Sequence, residues 1–173
     1  FGIVSDVHIW SPNPRKRFPG RDIKRLRSVL THFRDAGVDA VVMPGDLADT
    51  GLVAQLREVG RAWDEIFPSD RLPDGRRVEK VFIYGNHDLG RWPHVKQSGE
   101  LIADDPAGVW ESVFHEKYEP VQVKNVKGTL FVAAHWGEEK KITAALEKAA
   151  ASSRPFFYVQ HRHPQGTVYW NER

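Results

Sequence analysis

Val81-Phe82-Ile83-Tyr84-Gly85-Asn86-His87-Asp88 is an apolar run that stops abruptly in residues able to bind a metal, move a proton and orient the mover. A β-branched and aromatic run of this length reads as a buried strand. In open α/β sheets, ligands collect just outside the carboxyl ends of strands, so residues 85–88 fall where chemistry is expected. Gly85 is expected to adopt a φ that a bulkier residue would resist and to let the backbone pass close to a ligand. Taken alone, the tetrapeptide also reads as a loop with a capping Asn and a surface His, and the other strand ends decide between the two.

Upstream, residues 38–43 form a second apolar run ending in Pro44-Gly45-Asp46-Leu47-Ala48-Asp49-Thr50-Gly51, so Asp46 occupies the place that Asn86 holds on its own strand. Residues 1–5 read as a further buried strand ending in Asp6-Val7-His8. A carboxylate and an imidazole two residues apart on a strand end point to the same side, which lets both reach one cation. Ile23, Leu26, Leu30 and Phe33 have helical spacing with Gly37 as a stop, and Leu52, Leu56, Val59, Trp63 and Phe67 repeat the pattern. Two such units feeding a third strand predict parallel strands with crossover helices.

Downstream, residues 90–103 carry Trp92, Pro93 and His94 without periodicity and read as a long loop over the site. Residues 106–118 are predicted as a helix with Trp110, Val113 and Phe114 facing in. Residues 121–126 and 129–134 flank Lys127-Gly128 as a hairpin and mark a second, antiparallel region. The hairpin ends in His135-Trp136-Gly137. A helix over 138–151 follows, then a last apolar strand over 155–160 that ends in His161-Arg162-His163-Pro164.

The 173 residues are about one domain long, and a hydrophobic content of 40% is enough for a core. The net charge of +2 is too small to argue for nucleic acid or an anionic membrane. The basic run Arg15, Lys16, Arg17, Arg21, Lys24, Arg25 and Arg27 reads as a loop and the solvent face of a helix; a second reading is attraction of a phosphorylated substrate to the Asp6 and His8 loop. There is no cysteine, which excludes disulfides, thiolate ligands and cysteine nucleophiles. No run approaches the ~18 apolar residues of a membrane span, and no signal peptide is visible. The chain opens inside a strand without an initiator Met, so a trimmed N-terminus is expected and the compartment is left open.

Asp6, His8, Asp46, Asn86, and then His135 or His161 with His163, all follow the ends of apolar runs. Nitrogen and oxygen ligands without sulfur suit Mn, Fe, Zn or Ni. Asp46, on the middle strand, is placed to bridge two cations about 3.5–4 Å apart. His32, His94 and His115 read as structural.

The order D-x-H, G-D-x-x-D-x-G, G-N-H-D and then strand-terminal histidines resembles the calcineurin-like metallophosphoesterase superfamily. The resemblance implies a four-layer α/β/β/α sandwich of two mixed sheets flanked by helices. It implies one catalytic domain over residues 1–173, truncated at both ends and lacking its C-terminal part. It implies two metal ions, divalent or of mixed valence: Asp6 and His8 on the first, Asp46 bridging, Asn86 on the second. His87 would be the catalytic histidine and Asp88 would hold its ring. Two registers remain for the last ligands. In the preferred one, His161 is the fourth motif and a Gly-His-x-His lies beyond Arg173; in the other, His135 is the fourth motif and Gln160-His161-Arg162-His163 a modified fifth.

The implied activity is hydrolysis of phosphate monoesters or diesters, on a phosphorylated small-molecule or phosphodiester substrate, by a hydroxide that bridges the metals. Two alternatives stand beside it. One is an interaction domain that keeps the fold but not the turnover, suggested by the missing last motif. The other is a nuclease, disfavoured because aromatic residues are thin among the basic ones. Substrate, metal identity and oligomeric state are not read from the sequence.

Overall fold

The computed structural model describes residues 1–10, 20–89, 100–135 and 138–163. Most of the predicted 90–103 loop, with Trp92, Pro93 and His94, lies outside them, as do Arg15, Lys16, Arg17, Trp136, Gly137 and Pro164.

The elements follow the chain's periodicities. Strand β1 (Gly2–Ile3) leads to helix α1 (Arg21–Asp35), strand β2 (Ala40–Pro44), helix α2 (Val53–Ile66) and strand β3 (Glu79–Ile83). Helix α3 (Pro106–Phe114), strands β4 (Val121–Val126) and β5 (Thr129–Ala134), helix α4 (Glu139–Ala151) and strand β6 (Phe156–Val159) complete the described fold. Helix α1 buries Ile23, Leu26 and Leu30 on one stripe and ends at Gly37, whose φ of +67° releases the chain into β2. Its basic residues Arg21, Lys24 and Arg25 are exposed, and Arg27 pairs with Glu65 across to α2 at 2.8 Å.

The first sheet is parallel in the order β1-β2-β3, which leaves β2 central. Alternation along β2 and β3 divides their side chains between two cores. Val41, Met43 and Phe82 pack with α1, α2 and α3, among Leu26, Leu30, Trp63 and Trp110. Ala40, Val42, Val81 and Ile83 face the other way and meet Val126, Phe131, Ala133 and Val159 of the second sheet. Each fully buried apolar side chain of this kind contributes about 1.5–3 kcal/mol.

The second sheet runs β4-β5-β6, antiparallel across the hairpin and parallel between β5 and β6. Lys127 and Gly128 both have positive φ, 49° and 87°, as a two-residue turn matched to strand twist requires. Helix α4 packs on β4 and β5. The layers are therefore helices, sheet, sheet and helix, as predicted.

Residues 1–5 depart from expectation. Strand β1 is only two residues long, and Phe1 and Ile3 are exposed rather than buried. Among the described residues it is an edge strand, paired on one side only. Among the described residues, no helix is long and apolar enough to cross a membrane.

Candidate metal centre

The loops that follow β1, β2, β3 and β6 converge. Asp6, His8 and Asp46 all have left-handed backbones, with φ of 53°, 43° and 51°. For residues other than glycine that conformation costs on the order of 1 kcal/mol each, and it persists where neighbours enforce it. Here the enforcement is a backbone ladder outside the strands: the N–H groups of His8 and Ile9 donate to the carbonyls of Asp46 and Leu47 at 3.0 and 2.9 Å. Asp6 and His8 are thus brought together by a loop zipped to its neighbour rather than by strand alternation; His8 Nε2 lies 4.0 Å from Asp6 Oδ1.

Gly45 and Gly85 make the close approach of the β2 and β3 loops. A Cβ on Gly85 would lie 2.3 Å from Asp46 Oδ1, and one on Gly45 would lie 2.8 Å from the Gly85 backbone. Gly85 is not among the glycines with positive φ; it is needed because the Asp46 carboxylate occupies the space of a side chain.

Asp46 is the hub. It is buried, its Oδ1 accepts the His87 backbone N–H at 2.8 Å and lies 3.3 Å from His161 Nε2, and its Oδ2 lies 3.5 Å from His8 Nε2. Each of these imidazoles is anchored through its other nitrogen. His161 Nδ1 meets the Pro44 carbonyl at 2.9 Å, and His8 Nδ1 meets Asp49 Oδ1 at 3.1 Å. An acceptor at Nδ1 fixes the proton there and leaves the Nε2 lone pair for a ligand. His161 Nε2 also lies 3.0 Å from Asn86 Oδ1, so with Nδ1 protonated three acceptor atoms face one another. A cation or an imidazolium proton relieves that conflict.

The electrostatics agree. Burial pushes the Asp46 carboxyl up, but the hydrogen bonds from His161 and the His87 amide and the neighbouring imidazole charges outweigh it and hold the group below the usual carboxylate range. His161 is raised by its hydrogen bond to Asp46, against the opposing effect of burial. Two sets of ligand atoms lie within 4.8 Å of one another, Asp6 with Asp46 and His161, and His8 with Asp46 and His87. Asp46 belongs to both, which suits a mixed nitrogen and oxygen dinuclear site. The partition differs from the one the resemblance implied, since Asp6 groups with His161 and His87 stands close enough to join His8.

The expected role of Asp88 is corrected, and His135 and His163 lie outside both ligand sets. Asp88 does not hold the His87 ring: it is fully buried, with Oδ1 accepting from Ala48 N–H at 2.6 Å and Oδ2 from Gly85 N–H at 2.7 Å. Burial pushes its carboxyl up to about 7 despite the amides of Gly85, Ala48 and Leu47. It therefore ties the β2 loop to the β3 loop, while His87 Nδ1 meets the Asp49 carbonyl at 2.8 Å. His135 is a core residue: Tyr84 N–H donates to its Nδ1 at 3.0 Å, the Gln122 amide lies 3.2 Å from its Nε2, and Tyr84, Trp110 and Tyr118 box it in. Burial drives its pKa down to about 3. His163 is exposed and belongs to neither ligand set. Of the structural histidines, His115 is exposed and lies 3.6 Å from Asp64, and His32 flanks Phe33 on α1.

Asp49 has no role in the strand-end pattern, yet it holds His8 by its carboxylate and His87 by its carbonyl. Its signal was present as the second Asp of G-D-x-x-D-x-G.

A sequence profile of the calcineurin-like phosphoesterase family matches residues 1–170. The chain belongs to that family. Among solved structures it is similar to a purple acid phosphatase from yellow lupin (Lupinus luteus) seeds, at 19% identity and a TM-score of 0.51, over 92% of this chain and 29% of that one. It is also similar to a dimetal phosphatase from Danio rerio, at 18% identity and a TM-score of 0.41, over 87% of this chain and 51% of that one. No curated protein gave a significant sequence match. The fold is shared with the lupin protein, 29% of whose length this chain spans. Metal-dependent phosphoester hydrolysis is the general chemistry of that family.

Proposed function

We propose that this chain hydrolyses phosphate esters at a dinuclear centre, with Asp46 bridging two cations and Asp6, His8, Asn86 and His161 completing the ligands. The observation that carries this reading is the Asp46 carboxylate: each oxygen faces the Nε2 of a different imidazole, and both imidazoles are anchored through Nδ1. Bound divalent or mixed-valence cations would lower the pKa of water towards ~7, supplying a hydroxide nucleophile, and would neutralise charge on the phosphoryl oxygens.

The chain's own residues do the rest. The Asp49 carboxylate and the Pro44 carbonyl orient the two ligating rings, and such outer partners are worth about 10–100-fold in metal affinity or activity. His87 is held by its ring at the Asp49 carbonyl and by its amide at Asp46, which keeps the ring beside the centre. From there it stabilises or protonates the departing oxygen, a role worth about 10²–10⁴-fold. Asp88 keeps the two glycine-lined loops in contact.

The test is elemental analysis of wild type and Asp46→Asn after chelation and reconstitution with Mn²⁺. Occupancy should fall at both positions in the variant. Equal metal content in the two proteins would overturn the bridging role.

A further inference from the structure

Asp49 orients two rings, so whatever fixes Asp49 fixes them. Its own N–H donates to the Ile9 carbonyl at 3.2 Å, which settles the peptide that precedes it. The peptide that follows is the one whose carbonyl meets His87 Nδ1 at 2.8 Å. A carbonyl can only accept, so Nδ1 carries the proton in this contact. The N–H of that same peptide belongs to Thr50, and it donates to the side-chain oxygen of Gln55 at 3.0 Å. A peptide unit is planar and rigid, so a partner at its N–H sets the direction of its C=O.

Gln55 lies on the first turn of α2 and is only 2% exposed, although glutamine is mostly a surface residue. Its Oε1 accepts from the Thr50 N–H, from the Thr50 hydroxyl at 3.1 Å and from the Leu52 N–H at 3.4 Å. Two backbone N–H groups on one atom identify that atom as the oxygen. Gly51, between the two amides, leaves the loop no slack. A Cβ there would lie 2.5 Å from the Asp88 carbonyl and 3.2 Å from that of His87, and the Gly51 carbonyl accepts the Ile102 N–H at 2.8 Å.

We propose that Gln55 is a positioning residue for His87, acting through the Asp49–Thr50 peptide. The relay runs from the Gln55 oxygen to the Thr50 N–H, and from the Asp49 carbonyl to the His87 Nδ1 proton. Hydrogen bonds at the two ends of one peptide polarise each other, so the acceptor at the N–H strengthens the carbonyl's hold on the ring. The kinetic consequence rests on the phosphoesterase reading; the relay itself is a property of the metal-free chain.

Two measurements test it, each on a folded Gln55→Met variant, or on Gln55→Asn, which draws the acceptor back by one methylene, where Met does not fold. In metal-free protein, isotope-labelled at histidine, NMR should show a His87 Nδ1 proton protected from exchange, assigned by its absence from His87→Ala. It should vanish in Gln55→Met and persist in Gln55→Glu, which keeps the acceptor. No such proton in wild type, or one unchanged in Gln55→Met, overturns the proposal. With Mn²⁺ at saturation, kcat for phenyl phosphate should fall roughly tenfold in Gln55→Met, the low end for residues that act through a partner. Gln55→Glu should recover most of that loss. In the His87→Ala background, Gln55→Met should cost less than about twofold, because the ring it positions is gone. Absence of turnover in wild type would sink the phosphoesterase reading instead, and the NMR result then decides the relay. In an active wild type, an unchanged kcat in Gln55→Met, or an equal loss in the His87→Ala background, overturns the role of Gln55 at His87.

Discussion

His135 and His161 close neighbouring parallel strands, β5 and β6, and they could not be more differently used. His161 turns Nε2 towards a buried carboxylate and is raised in pKa by it; His135 turns both nitrogens into a box of Tyr84, Trp110, Tyr118 and Gln122 and is driven down to about 3 by burial. One is the proposed cation ligand and the other is neutral filling for the core. Residue type and position at a strand end are the same in both. What separates them is the company at Nε2, which the fold supplies.

The contrast can be broken at several points. The largest effect should come from exchanging the two deletions. His161→Ala should weaken Mn²⁺ binding by more than about a hundredfold, beyond the 10–100-fold typical of residues that only orient a ligand. It should leave unfolding of the metal-free protein almost unchanged. His135→Ala should do the reverse, lowering stability by about 2–5 kcal/mol through a cavity and an orphaned Tyr84 amide, with metal affinity of the folded protein intact. Denaturant melts and metal titrations of both variants check this, and a loss of metal affinity in His135→Ala would restore the other register.

Gly85→Ala should fall next. Its new Cβ would collide with the Asp46 carboxylate and amide, at 2.3 and 2.4 Å, so metal affinity should drop without the loss of any ligand. Titration of the variant with Mn²⁺ measures the drop; unchanged affinity would show that the two loops can separate freely.

A smaller effect is expected from pH. His135 has a depressed folded pKa, so the unfolded chain takes up its proton first, near 6.5, while the folded chain stays neutral down to about 3. The stability tied to the neutral ring is therefore complete above pH 6.5 and is lost as pH falls through that window. Between pH 6.5 and 5 the loss should be about 2 kcal/mol. Melts of metal-free wild type and His135→Gln at the two pH values should differ in slope by that amount, and parallel slopes would refute the assignment. The smallest change should be Asp49→Asn, which keeps a hydrogen-bond acceptor at His8 Nδ1 but removes its charge: about tenfold in metal affinity, the low end for such partners.

Much of the fold was legible because its elements have clean periods. The hairpin over 121–134, the helices at α1, α2 and α4 and the parallel strands β2 and β3 all appear where apolar spacing and turn residues put them. The failures have local causes. Strand β1 is shorter than its apolar letters predict, because the same letters serve a buried strand and an exposed edge. At Gly85 the sequence does not tell a glycine that makes room for a neighbour's side chain from one that turns the chain; the structure shows the former. Asp88 was attached to the adjacent His87, whereas its oxygens reach amides on its own loop and on a loop forty residues away, at Ala48.

By itself the sequence determined which residue types stand at which strand ends, and with them the layer order, the family and the ligand candidates Asp6, His8, Asp46, Asn86 and His161. Only the tertiary structure decided which of two strand-end histidines faces Asp46, and that Asp49 rather than Asp88 orients the rings. The physical reason is range. Periodicity and turn chemistry act over a few residues along the chain, whereas the protonation and direction of an imidazole are set by partners that meet it across 13, 41, 51 or 117 positions.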